Sequence, residues 1–197
     1  MIALPQVRDM AAKLNATVVI GRFQPFHKGH LSLIRKAMGL APQTVVLLGS
    51  DQAPRTAKNI WTTDERLQMI RPCFNNQELK RLTFIGIADF NDDQSWIQHV
   101  QEVTQKALEH SNKIGLVGYH KDVTSYYLSL FKDWSFISAE QFCGGLSASD
   151  LRQAYFDDLP PDPAYLPDPV VQFLCDFRKS KNYNKLKKIV LSAARYQ

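Results

Sequence analysis

Five short runs rich in β-branched and other large apolar residues, at positions 16–21, 44–49, 82–87, 113–118 and 134–138, alternate with longer segments whose apolar residues recur at helical spacing. A strand, a helix and a second strand in succession build a parallel pair, and repeated units cover both faces of the sheet with helices. The expected fold class is therefore α/β, a Rossmann-like, doubly wound parallel sheet. Helices are expected at 29–39, 63–74, 94–110 and 123–131. Another starts at Ser147, where SASD has the S-x-x-D spacing of a helix cap with Asp150 in the first turn. The run LPPDPAYLPDP, 159–169, holds too many prolines for regular structure and reads as a boundary loop. Two helices at 170–177 and 183–196 would follow as a small C-terminal appendage. The expected organisation is a main domain over 1–158, the proline-rich loop over 159–169, and a helical segment over 170–197.

A chain of 197 residues, 45% of them hydrophobic, is long enough for one such domain around a substantial core. No apolar run approaches the ~20 residues of a membrane-spanning helix. The opening MIALPQVRDMAAKLNA lacks the basic end, apolar centre and cleavage site of a secretory signal, so a cytoplasmic protein without a membrane partner is expected. Cys73, Cys143 and Cys175 are widely spaced, with no CxxC, and read as buried thiols and not as a disulfide or zinc framework. The net charge of +5 belongs to the tail: seven Lys or Arg and no acid follow Phe177, and the first 177 residues hold 17 basic against 19 acidic side chains. That basic run, KSKNYNKLKK, is the one feature that points to nucleic acid, and a single aromatic, Tyr183, interrupts it, which argues for a solvated helix face.

The chemistry is concentrated where the first strand hands over to the first helix, in GRFQPFHKGHL, 21–31. Ligands gather at the carboxyl ends of parallel strands, and a helix N-terminus favours an anion through its unpaired N–H groups and partial positive charge. Gly29 lets a phosphate approach the backbone, and His27 and His30 add imidazole donors. No GxxxxGK[ST] or GxGxxG is present, so this is phosphate binding without a P-loop. No carboxylate or Cys stands at a spacing that would turn H-x-x-H into a zinc site, and no metal ligand is assigned.

The strand–HxGH–helix pattern resembles the HxGH nucleotidylyltransferases, and GRFQPFHKGH is similar to the signature of nicotinamide mononucleotide (NMN) adenylyltransferases of the archaeal type. The same kind of domain forms the N-terminal half of bacterial proteins fused to a Nudix hydrolase. Three further stretches follow in the family's order. GSDQAPRTAKNIWTTDERLQMI, 49–70, resembles the segment after the second strand; DFNDDQSW, 89–96, the nicotinamide segment; and GYHKDVTSYYLSLFKDW, 118–134, the GxxKDxSSYYLxxFPxW block. LSASDLR, 146–152, stands where the superfamily carries ISSTxxR, with Leu146 for Ile, Ala148 for the middle Ser and Ser149 for Thr. The hydroxyl at 148 is lost; those of Ser147 and Ser149, and Arg152 one turn on, are kept.

The resemblance implies adenylyl transfer from ATP to NMN, giving NAD and pyrophosphate, without an enzyme nucleophile. It assigns His27, His30 and Arg152 to catalysis, the histidines at the α-phosphate and Arg152 at the β- and γ-phosphates. Arg22 would bridge phosphates of both substrates, with Ser147, Ser149, Gly29 and the loop cations Arg55 and Lys58 completing the ATP side, and Phe23, Pro25 and Phe26 shaping the pocket. Asp89 and Asn91 would bond the carboxamide or ribose of NMN, and Trp96 would stack on its cationic ring. Mg²⁺ would enter with ATP. Within the superfamily, phosphopantetheine or FMN are the alternative acceptors, and binding of nucleic acid or a partner by the basic tail is the alternative of another class. No Nudix box is present, which leaves open a stand-alone enzyme and the front half of a fusion; a homo-oligomer is equally open.

Overall fold

The computed structural model describes residues 14–109, 112–119, 123–139 and 147–194. Strands β1 (Ala16–Gly21), β2 (Gln43–Leu48), β3 (Leu82–Gly86), β4 (Ile114–Gly118) and β5 (Ser135–Ser138) form one parallel sheet in the order β3-β2-β1-β4-β5. Each lies within a residue of its expected position at either end. β1 pairs with β2 along its whole length, from Ala16 to Gly21, but with β4 only from Ala16 to Val18. The strand order reverses between β1 and β4, so their carboxyl ends part at the switch point where open α/β sheets bind ligands.

Side chains of β1 and β2 alternate between two apolar clusters, one on each face of the sheet. Val19, Val46 and Leu48 belong to one; Val18, Val45 and Leu47 belong to the other. Burial on both faces is why these strands read as unbroken apolar runs. The helices are α1 (Lys28–Leu40), α2 (Thr63–Ile70), α3 (Asn76–Leu79), α4 (Asp93–Ala107), α5 (Ala148–Phe156), α6 (Asp168–Phe177) and α7 (Lys181–Ala194).

Two expected helices differ in detail, and one helix is additional. The one expected at 63–74 ends at Ile70 and continues as a 3-10 turn over Arg71–Cys73, because Pro72 has no N–H to bond back and its ring blocks the turn before it. The short α3, started by an Asn75 cap and its reciprocal Glu78, was not expected. Val123–Ser129 is a 3-10 helix. His110 and residues 195–197, the ends of two other expected helices, lie outside the described residues, as do Cys143, Leu146 and the segment 120–122.

The two C-terminal helices share the larger cluster. Val170, Leu174 and Phe177 of α6 and Tyr183, Leu186 and Val190 of α7 pack with Trp61, Tyr155 and Phe156. The Arg178 guanidinium sits 4.9 Å over the Tyr155 ring and donates to the carbonyls of Tyr155 and Leu159. Tyr183, the aromatic of the basic run, is buried, and its hydroxyl bonds the Tyr155 carbonyl and Asp158. It has no open face on which a nucleic-acid base could stack. Cys73 and Cys175 are half-buried instead of fully buried; Cys73 donates to the Met69 carbonyl, and desolvation pushes its thiol up to about 12. No helix of the described residues is long and apolar enough to cross a membrane.

Candidate active site

The first signature folds as a strand end, a buried loop and a helix cap. β1 finishes at Gly21, the side chain of Arg22 is exposed, and Phe23 turns the chain at φ 53° with its ring 2% exposed. A Cβ on Gly21 would stand 2.8 Å from that ring, so only glycine fits. Phe23 thus packs beneath the site, edge-on to His30 at 5.0 Å, and Phe26 stacks on the same imidazole at 5.8 Å. Gly29 is the second residue of α1 and half-buried.

His27 is the N-cap of α1. Its Nδ1 accepts the His30 backbone N–H, and the Nδ1 of His30 accepts the His27 backbone N–H, both at 3.3 Å. Two imidazoles here replace the oxygens of an ordinary capping box. Because each Nδ1 is an acceptor, each neutral ring carries its proton on Nε2, and both histidines are held as Nε2–H donors. The rings stack 3.6 Å apart. Desolvation, with the adjacent His27 second, holds His30 well below the ordinary imidazole range, so it is neutral at physiological pH.

The second signature meets the first across the sheet end. Ser147 caps α5, its Oγ accepting the N–H groups of Ser149 and Asp150. Arg152 donates at 2.6 Å to the Gln24 carbonyl and at 3.3 Å to Ser149 Oγ. Arg22, Lys58, Ser149 and Arg152 line one cleft of about 390 Å³. Burial, and then the like charge of Arg22, lower the Arg152 pKa. Among the described residues neither arginine has a carboxylate within ion-pair distance. Asp150 is the one acid of the lining, set against Arg22, Lys58 and Arg152, and two guanidiniums gathered with neither in an ion pair are the electrostatics of a polyanion site.

Arg55 is placed differently. Its guanidinium forms a two-pronged pair with Glu65, both bonds 2.8 Å, and donates to the Ile60 carbonyl. Glu65 also completes the cap of α2, so Arg55 ties its loop to that helix. Lys58, on the same loop, is exposed at the cleft.

Two residues that sequence reasoning passed over hold these parts together. The Gln24 side chain, 3% exposed, donates to the Trp61 carbonyl at 2.8 Å and accepts from the N–H groups of Ile60 and Trp61. Arg66, 1% exposed, donates to the carbonyls of Arg22 and Gly49, bracing the ends of β1 and β2, and to Thr63. Desolvation lowers the Arg66 pKa, opposed by Asp51 and Asp89, which face it. Gly86 has no side chain because a Cβ there would lie 2.5 Å from the Asp51 carboxyl carbon. Gln24 lies inside the first signature and Arg66 inside the family-like stretch 49–70, and that position is the signal that could have found them. Lys28, inside HKGH, anchors the proline-rich segment through the carbonyls of Pro163 and Tyr165.

Asp89 and Asn91 are exposed on the loop between β3 and α4. Trp96, in the first turns of α4, is half-buried and meets Tyr127 and Phe131 edge-on at 5.6 and 5.7 Å. Asp92 caps α4, and backbone and side-chain hydrogen bonds from Ser95 lower its carboxyl pKa. These groups sit past the carboxyl end of β3 and do not line the arginine cleft. Among the described residues no group of three or more His, Cys, Asp or Glu is placed to hold a metal ion.

A family profile described as cytidylyltransferase-like matches residues 18–154, from β1 through most of α5. The chain belongs to the cytidylyltransferase-like family. Within it, the chain is 36% identical over 174 residues to a nicotinamide/nicotinic acid mononucleotide adenylyltransferase of Acinetobacter baylyi, covering 88% of this chain and 92% of that one. A nicotinamide-nucleotide adenylyltransferase of Thermoplasma acidophilum is 34% identical over 88 residues, 45% of this chain and 49% of that one. The fold superposes on a Francisella tularensis bifunctional NMN adenylyltransferase/ADP ribose pyrophosphatase, solved with AMP and a manganese ion, with a TM-score of 0.82 and 27% identity. That match covers 93% of this chain and 54% of the Francisella chain, so this chain spans about half of the bifunctional protein. Membership of this family, and the five-stranded parallel sheet of the described residues with its C-terminal helices, are thus established.

Proposed function

We propose that this chain transfers the adenylyl group of ATP to nicotinamide mononucleotide. A phosphate oxygen of NMN attacks the α-phosphorus of ATP, the bond to the β-phosphate breaks, and NAD and pyrophosphate result. Family membership and the names of the relatives support the reaction; the observation that carries the site is the cleft in which Arg22 and Arg152 meet with neither held in an ion pair among the described residues. The attacking group is already a phosphate, so the protein has to align substrates and stabilise charge.

In this reading the Nε2–H groups of His27 and His30 donate to the α-phosphate, whose charge grows in the transition state. Arg152, with Ser149 behind it, holds the β- and γ-phosphates that leave as pyrophosphate. Arg22 bridges the two substrates, Lys58 closes over the triphosphate, and Ser147 orients the α5 N-terminus towards it. Arg55 serves as the brace of the Lys58 loop, its charge already met by Glu65. Asp89, Asn91 and Trp96 receive the nicotinamide nucleotide. Magnesium would be carried by the triphosphate oxygens and would neutralise the leaving group, since the described residues offer no cluster of ligands for it. A cytoplasmic setting suits a reaction that consumes ATP.

The test is direct. The purified chain with ATP and Mg²⁺ is given NMN or its nicotinic acid analogue, and the dinucleotide is measured. Formation of NAD or its deamido form with equimolar pyrophosphate is expected. Failure with both acceptors overturns the proposal.

A further inference from the structure

The C-terminal helix reaches the arginine cleft. Val190 and Ala193, three residues apart and so on one face of α7, line it together with Ala57 from the Lys58 loop. Ala57, Lys58 and Ala193 also line an adjoining groove with Ile189 and Ser192, so the end of α7 runs along that loop. The cleft has two kinds of lining: a polar one of Arg22, Lys58, Ser149, Asp150, Arg152 and Gln153, in which three cations outnumber one acid, and small apolar side chains, two of them from α7. The family profile ends at residue 154, so this second lining comes from outside the matched segment. It brings no cation: Lys181, Lys185, Lys187 and Lys188 do not line the cleft, and Lys187 pairs with Asp158.

We infer that the last two turns of α7 form a wall of the triphosphate site, with Val190 and Ala193 as contact residues that set the size and charge of what it admits. The inference rests on the adenylyl-transfer reading of the cleft. An apolar wall beside a group of cations displaces water from one side of a bound polyphosphate, and attraction between the charges is stronger where water is displaced. The side chain at 193 has to be short to leave that space and uncharged to leave the cations to the phosphates. The basic C-terminal segment then acts through its apolar face, as part of the nucleotide site.

The experiment titrates the whole chain calorimetrically with inorganic pyrophosphate and with ATP, without a mononucleotide. Glu, Gln and Lys are good helix formers, so a series at position 193 keeps the helix while changing size and charge. Ala193→Glu should weaken pyrophosphate binding at least tenfold, Ala193→Gln a few-fold, and Ala193→Lys should bind more tightly than Ala193→Gln. Asn184→Glu makes the same charge change nine residues earlier on α7, about 13 Å along the axis and beyond the Debye length of about 8–10 Å, and should bind as the unsubstituted chain does. Equal affinities across Glu, Gln and Lys at 193, with the unsubstituted chain binding normally, overturn the wall alone. No binding by the unsubstituted chain overturns the phosphate reading of the cleft and the wall with it.

Discussion

Arg152 donates to the Gln24 carbonyl at 2.6 Å, a bond between the two signatures across 128 positions of sequence. The Gln24 side chain meanwhile holds the backbone of Ile60 and Trp61, on the loop that carries Lys58. One residue therefore fixes three parts of the cleft relative to each other. Gln24→Met keeps the volume and removes three hydrogen bonds, leaving buried backbone groups unpaired at about 1–3 kcal/mol each. A loss of at least about 3 kcal/mol in urea unfolding is expected, with a raised KM for ATP in the folded protein. A change below about 0.5 kcal/mol would show that water replaces the amide and that Gln24 holds nothing.

Arg22 and Arg152, with Lys58 beside them and only Asp150 as an acid in the same lining, should make the chain respond to polyanions. A ligand at a hundred times its Kd stabilises a fold by about 2.7 kcal/mol, which for a chain of this size is a rise in Tm of about 5–11 °C. Pyrophosphate should produce that rise, and sodium chloride at equal ionic strength should not. In Arg152→Met the rise should disappear. In Arg152→Lys, which keeps the charge without the planar fork, a weakened response with KM for ATP raised about tenfold is expected. An undiminished shift in Arg152→Met would remove the residue from the site.

The His27–His30 cap carries a pH signature. His30 is held below its ordinary range in the fold, so the unfolded chain binds a proton more readily. Stability contributed by neutral His30 is complete above about pH 6.5 and is lost as pH falls below it towards the depressed folded value. Thermal unfolding should therefore weaken between pH 7 and 5, and His30→Asn, which keeps an acceptor for the cap without the ionisation, should flatten that dependence. Activity should show no acid limb near pH 6.5 from His30. A limb there that vanishes in His30→Asn would mean that the ring titrates normally.

Much of this was readable in sequence because local patterns carried it. The apolar runs located all five strands of the described residues, and in β1, β2 and β4 burial on both faces leaves little polar alternation to confuse the reading. The Ser147 cap was legible because its side chain bonds its own helix. The sequence pattern failed where function depends on long-range backbone contacts. Nothing in Gln24 or Arg66 as residue types says that their side chains bond carbonyls and amides 17 to 44 positions away. The resemblance puts Arg55 on the ATP side with its loop, and only the fold shows that Glu65, ten residues on, pairs with it. Val190 and Ala193 look like any apolar face of a helix, and only packing brings that face to the cleft.

Trp96 tests the other end of the site. Its ring meets Tyr127 and Phe131 edge-on, and part of it stays exposed, so packing and ligand contact are both open to it. Kinetics separate the two contributions. Trp96→Ala removes the aromatic packing and should cost about 1–3 kcal/mol in unfolding free energy, because the ring is only half-buried. If the exposed face also stacks on the cationic nicotinamide ring, the same variant raises KM for NMN at least fivefold, leaves KM for ATP within twofold, and reduces kcat little. Trp96→Phe keeps an aromatic face and most of the packing, and should recover the greater part of the NMN affinity. A stability loss with both KM values unchanged would assign Trp96 to the core beneath α4 and leave nicotinamide recognition to Asp89 and Asn91.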